Sequence, residues 1–169
     1  MTSKTRKPAR AALSSLTVVG RKKSALRAGR FGEIYRAAPM ERVRLIKAGV
    51  APAAVGDIAQ AMGAPQQAVV RELGIPKSTW ARKRARHAPL EQNASEKVIG
   101  LAALIGQVEA LVAEQGAPEG FDAAKWFREW MKQPVPALGG RKPVELLDTR
   151  EGQQIVSGLL EAIRAGAYL

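Results

Sequence analysis

At 169 residues the chain has room for one compact domain or two small ones. With no cysteine and one histidine it excludes disulfide scaffolds, thiolate zinc sites, iron–sulfur clusters and multi-histidine metal centres. Its 27 Lys and Arg against 15 Asp and Glu give a net charge of +12, and the surplus lies in front: residues 1–90 carry 19 basic and 4 acidic side chains, residues 91–169 carry 8 and 11, a split that asks for a polyanion at the front and another kind of partner behind.

Taken in chain order, residues 1–30 hold nine Lys and Arg, no acid and no sustained apolar face, which predicts a disordered basic tail. From Phe31 the apolar spacing becomes helical: Val43, Ile46 and Val50 form one set, and Val55, Ile58, Ala59 and Met62 a second beyond the break at 49–52. Gly63 stops the second helix, and Pro65 opens a third through Val69 and Val70 to Leu73. Gly74-Ile75-Pro76 is a stop and a restart, after which a short, densely basic helix runs from Lys77 to about Arg86, closed by Pro89. Ser95-Glu96 opens the longest periodic segment, striped by Val98, Leu101, Ala102, Ile105, Val108 and Val112, which predicts the central helix of the core.

Beyond the break at Gly116, Pro118 and Gly120, Asp122 is placed to cap a helix carrying Trp126, Phe127 and Trp130. Three prolines and a double glycine make residues 133–143 a loop, and Pro143 to Leu147 reads as one helical turn. Thr149 or Asp148 caps the last helix, whose stripe is Ile155, Val156, Leu159, Leu160 and Ile163 and whose stop is Gly166. Strand alternation is absent, so the expected fold is all-α. No stretch approaches the roughly 18 apolar residues that span a bilayer, and no apolar signal region follows the basic start; a cytoplasmic chain with no membrane partner is expected.

Residues 66–86 carry the first functional pattern. Two short helices locked at a steep angle need a glycine in the turn and apolar packing around it, and Leu73, Gly74, Ile75 and Trp80 supply both. The second helix then offers Lys77, Ser78 and Thr79 in its first turn and Arg82, Lys83, Arg84 and Arg86 beyond, a set suited to double-stranded DNA. Lys77 and Arg82 are expected to face the major groove. The plainer reading of so basic a helix is a solvated face; the turn glycine, the packing residues and the cationic half together favour DNA. Val70 stands where a small residue is usual and Lys83 where an apolar anchor is usual, leaving Trp80 to pack alone. His87 reads as a helix-ending or phosphate-adjacent residue rather than a catalytic one.

The segment from Trp126 through Pro134-Val135-Pro136-Ala137-Leu138-Gly139-Gly140-Arg141-Lys142-Pro143 and Glu145-Leu146-Leu147-Asp148-Thr149 to Tyr168 resembles the toxin-binding domain shared by Xre, MbcA and ParS antitoxins. With the upstream Gly74 to Arg82 segment the resemblance covers about residues 40–169 and points to the Xre antitoxin that pairs with a RES-domain toxin. It implies an Xre-like helix-turn-helix domain over 31–90 and a small helical toxin-binding domain over 91–169, acting on a toxin that consumes NAD by entering its active-site cleft. It also implies a homodimer that binds its own operator, and no cofactor or metal. The departures are Val70, Lys83 and a longer connection at 116–120.

On that reading the toxin-binding residues are Gly139, Gly140, Arg141, Glu161, Arg164, Gly166, Ala167, Tyr168 and Leu169. The two glycines permit turns closed to other residues, Arg141 presents a planar five-donor fork, and an apolar tip beyond a helix stop asks for a partner. Arg141 equally suits capping of the last helix or pairing with Glu145, and Leu138, Leu146, Leu147, Leu159, Ile163, Trp126 and Phe127 suit the core. The competing reading is a stand-alone helix-turn-helix repressor with a C-terminal dimerisation domain. An enzyme is not expected: Asp57, Glu72, Asp148 and Glu151 show no pairing, and neither a phosphate loop nor a nucleophile elbow is present.

Overall fold

The computed structural model describes residues 30–116 and 118–167. Eight α-helices lie among them: α1 (Phe31–Arg36), α2 (Pro39–Ala48), α3 (Ala53–Ala61), α4 (Gln66–Glu72), α5 (Lys77–Ala85), α6 (Gln92–Gln115), α7 (Ala123–Trp130) and α8 (Arg150–Arg164). Two 3-10 turns, Pro136–Leu138 and Pro143–Leu146, stand between α7 and α8, and no strand occurs among the described residues. The all-α expectation holds. The basic tail expected over residues 1–30 lies outside the described residues except for Arg30, as do Tyr168 and Leu169.

The long apolar helix α6 touches α1, α2, α3, α7 and α8. Its Val98, Leu101, Ala102, Ile105 and Val108 are buried and join one apolar cluster that runs from Phe31 to Leu160. By length and composition α6, with a stretch of mean hydropathy 1.4, could cross a membrane, against the expectation that no stretch approaches that length. Its apolar faces are covered by the surrounding helices.

The first helix, α1, is the element that periodicity missed, because six residues are too few to show a period. It crosses α6 where Gly106 has no side chain: a Cβ there would land on the Phe31 carbonyl. The Gly32 amide donates to Glu109 Oε2 at 2.6 Å, and Arg42 Nη1 donates to the Ile34, Tyr35 and Ala37 carbonyls at 3.3, 2.9 and 3.0 Å. Both ends of α1 are thereby held, with Glu109 and Arg42 supplying partners for amide and carbonyl groups that a helix end leaves unpaired.

Helix α6 begins three residues before the expected start. Ser95 is fully buried, accepting from the Val50 amide at 2.9 Å and donating to the Leu90 carbonyl at 3.1 Å, so it joins the α2–α3 connection to α6. In α8 the inward stripe is Gln153, Val156 and Leu160, while Ile155 is half exposed. Gln153 Nε2 donates to the Lys97 and Leu147 carbonyls, each at 3.0 Å. Gln107 Nε2 reaches the Ser157 carbonyl at 3.0 Å, and Ser157 Oγ returns a bond of 2.9 Å to Gln107 Oε1. The α6–α8 seam is thus a satisfied polar zip inside an apolar core, as burial of amides requires. On α2, Leu45 is buried while Val43 is 37% exposed. Leu138, Leu146, Ile163 and Trp126 are half-buried, and Leu147, Leu159 and Phe127 are buried.

The expected caps form. Asp122 Oδ1 accepts from the Lys125 amide at 3.1 Å, and Thr149 Oγ1 accepts from the Gly152 amide at 3.0 Å. Four α-helices end in one pattern, in which a residue in the left-handed region lets the next amide reach back five residues: Gly63 before Ala64 N–Ala59 O at 2.8 Å, and Gly74 before Ile75 N–Val70 O, His87 before Ala88 N–Lys83 O and Gly166 before Ala167 N–Ala162 O, each at 3.0 Å. His87, at φ +50°, is the one non-glycine residue of positive φ among the described residues. We expect His87→Gly to raise the melting temperature by about 2 °C, as relief of left-handed strain outweighs added chain entropy; a fall in a thermal melt would refute this.

Candidate functional site

Helices α4 and α5 form the expected helix-turn-helix. Gly74, at φ +59°, sits between them; Leu73, Ile75 and Val70 are buried, and Trp80, 5% exposed, anchors α5 to the core. Val70 is accommodated without exposure. Lys77, Ser78, Arg82, Arg84 and Arg86 are exposed and Thr79 is half-buried. No side chain caps the start of α5, where Pro76 precedes Lys77, so its first turn presents free amides beside Lys77 and Ser78.

Lys83 differs from its neighbours. Its side chain is 18% exposed and its Nζ lies 2.6 Å from Glu91 Oε1, just ahead of α6. The hydrogen bond and charge of Lys83 hold the Glu91 carboxyl below the usual carboxylate range, with Arg82 adding to the pull. Sequence spacing offered one signal for this pair: an acid eight residues along, across the turn that Pro89 imposes.

The rear half grips the helix pair at both ends of α4. Arg128 Nη1 of α7 donates to the Gly63 carbonyl at 2.8 Å, and Gly74 packs against Asp148. Half-burial pushes the Glu72 carboxyl up, against the pull of Arg71, Lys132 and Arg128.

The loop 133–143 is held by its own backbone. Val135 and Gly140 amides donate to the Arg141 and Val135 carbonyls at 3.0 and 3.1 Å, and the Val144 amide donates to the Met131 carbonyl at 2.9 Å. Gly139 and Gly140 both have positive φ, +65° and +82°, with open space where a Cβ would stand. Arg141 is exposed and forms no ion pair with Glu145 among the described residues. Alongside, Trp126 and Trp130 stack at 5.9 Å and 8°, and Phe121 lies 6.4 Å from Trp126.

Glu161 bonds inward to the body, and Arg164 pairs with it from the exposed surface. Glu161 Oε1 accepts from Gln107 Nε2 at 2.7 Å and from the Tyr35 hydroxyl at 3.3 Å, and Arg164 pairs with Glu161 at 2.9 Å and Glu114 at 3.3 Å. Partial burial, then the charge of Glu161, pushes the Tyr35 phenol up. The structure therefore does not gather the expected rear residues into one cluster: Gly139 to Arg141 stand on a loop, Glu161 and Arg164 fasten α8, and Gly166 and Ala167 follow its stop.

Two family models match in chain order: the antitoxin Xre-like helix-turn-helix domain over residues 41–103 and the antitoxin Xre/MbcA/ParS C-terminal toxin-binding domain over residues 117–166. A "Prs ADP-ribosylating antitoxin" of Sphingobium sp. (strain YBL2) is 43% identical over 135 residues, covering 80% of this chain and 85% of that protein. The chain belongs to the Xre/MbcA/ParS antitoxin family. An "Antitoxin Xre" of Yersinia enterocolitica serotype O:8 / biotype 1B (strain NCTC 13174 / 8081) is 27% identical over 104 residues, 62% of this chain and 65% of that protein. As an Xre-family antitoxin the chain combines a helix-turn-helix domain with a toxin-binding domain, and the Trp126–Trp130 stack and the 133–143 loop lie inside the latter.

Proposed function

We propose that this chain is the antitoxin of a type II toxin–antitoxin pair, acting in the cytoplasm without catalysis of its own. Its C-terminal region occludes the active-site cleft of a RES-domain toxin that consumes NAD, and a homodimer places two copies of α5 on operator DNA to repress the pair. The observation that carries this reading is the union of both domains in one chain, with an exposed cationic α5 in front and a glycine-turned, Arg141-bearing loop behind. The name of the Sphingobium relative speaks of ADP-ribosylation, which favours transfer of ADP-ribose over hydrolysis of NAD as the toxin's reaction.

Lys77, Ser78, Thr79, Arg82, Arg84 and Arg86 are the proposed DNA contacts; Gly139 to Arg141 and the residues beyond Arg164 are the proposed toxin contacts. Met40 and Val43 on α2 and Ile155 on α8 are the exposed apolar side chains that suit a second copy.

Co-expression with the adjacent open reading frame tests the reading. The full chain should co-purify with that product and preserve cellular NAD. A chain cut after Ala165, which keeps the Arg164 pairs with Glu114 and Glu161, should fold and lose protection. If the full chain holds no neighbouring product the antitoxin reading fails; if the cut chain still protects, only the tail's role does.

A further inference from the structure

We propose that Glu91 withholds Lys83 from the nucleic acid, so that Lys83 positions α5 while Glu91 limits sequence-independent affinity. The inference rests on the DNA-binding reading above and adds two roles that its contact set does not contain. Lys83 lies one turn beyond the buried Trp80, on its side of α5, and the 2.6 Å bond to Glu91 fastens that turn to the residue preceding α6.

Glu91 is itself fixed. Its carbonyl accepts from the Ser95 amide at 2.8 Å, and the preceding residue is tied back by Leu90 N–Val50 O at 2.8 Å. The carboxylate therefore stands on a rigid corner, 64% exposed, with Arg82 close enough to act on its charge. To reach a phosphate, Lys83 must break a short charge-assisted bond and leave Glu91 bare against a polyanion, and both changes oppose binding. An exposed acid beside a reading helix repels phosphate whatever the base sequence. It therefore subtracts from the non-specific term and leaves base readout untouched.

The test uses the full chain with two duplexes of equal length, one copied from the DNA upstream of its own reading frame and one shuffled, with affinity measured across a salt series. Each lost phosphate contact makes the slope of log affinity on log salt shallower by about one. Arg84→Gln, the reference, should show that change. Lys83→Gln should leave the slope as it is, Glu91→Gln should steepen it by about one as Lys83 is freed, and the double variant should return it to the starting value. Glu91→Gln should also tighten binding to the shuffled duplex several-fold more than to the upstream one.

If Lys83→Gln flattens the slope as Arg84→Gln does while Glu91→Gln changes nothing, Lys83 is an ordinary phosphate ligand and the proposal falls. A second readout needs no DNA: the Glu91 carboxyl, followed by carbon NMR, should titrate below the ordinary glutamate range and return to it in Lys83→Gln. An ordinary titration in the unaltered protein overturns the pair itself. A depressed titration in a protein that binds neither duplex overturns the DNA reading above, and the proposed consequence with it.

Discussion

Replacing Gly106 with alanine is expected to destabilise the protein by about 3 kcal/mol, lowering its melting temperature by about 6–12 °C. The added Cβ would occupy the Phe31 carbonyl, so α1 has to lift from α6, and with it go the Gly32–Glu109 bond and the burial of Phe31 and Ile34. Alanine's better helix propensity, about 0.5–1 kcal/mol, does not offset that displacement. Gly158 in α8 is the control, because a Cβ there meets open space; Gly158→Ala should raise stability by about 0.5–1 kcal/mol. The same substitution with opposite signs, read by circular dichroism melts, isolates the α1–α6 crossing. An unchanged Gly106→Ala melt would mean that α1 does not seat there.

The second large effect concerns DNA. Lys77→Ala and Arg82→Ala should each weaken binding to the upstream duplex by about 10- to 100-fold if each contacts a base edge, the range that a good Arg or Lys contact supplies. Both side chains are exposed, Arg82 on the face of α5 away from the buried Trp80 and Lys77 in the first turn, so the melting temperature and toxin co-purification should not move. A loss equal on upstream and shuffled duplexes, with a shallower salt slope, would reassign the residue to phosphate. Loss of toxin binding together with DNA binding would show that the two surfaces are not separate.

The features legible in the sequence were those written in local chemistry. Gly74 followed by Ile75 and Pro76 marks its turn because glycine tolerates positive φ and proline opens the next helix. Asp122 and Thr149 mark their helix starts by side chains that accept amide bonds. What depended on distant contacts was hidden. Gln153 holds the inward position credited to Ile155, and only the spacing with Val156 and Leu160 hinted at it. Ser95, expected to open α6, lies inside it as a buried joint. Glu161, expected to face a toxin, fastens Gln107, Tyr35 and Arg164. Lys83, expected on DNA, is held by Glu91. Apart from Arg164, the partners lie off the residue's own helix, on another helix or on a connection, where its periodicity does not reach.

The shared core also bears on how the chain is made. Helix α6 starts at the point where the front half ends, and α8, the last of the described helices, closes its far side through Val156 and Leu160. A nascent chain therefore carries α6 on the already emerged α1, α2 and α3 while one of its sides waits for α8. A chain broken off before α8 arrives leaves the side of α6 that Val156 and Leu160 cover open to solvent, an apolar surface of the kind that promotes aggregation and draws chaperones.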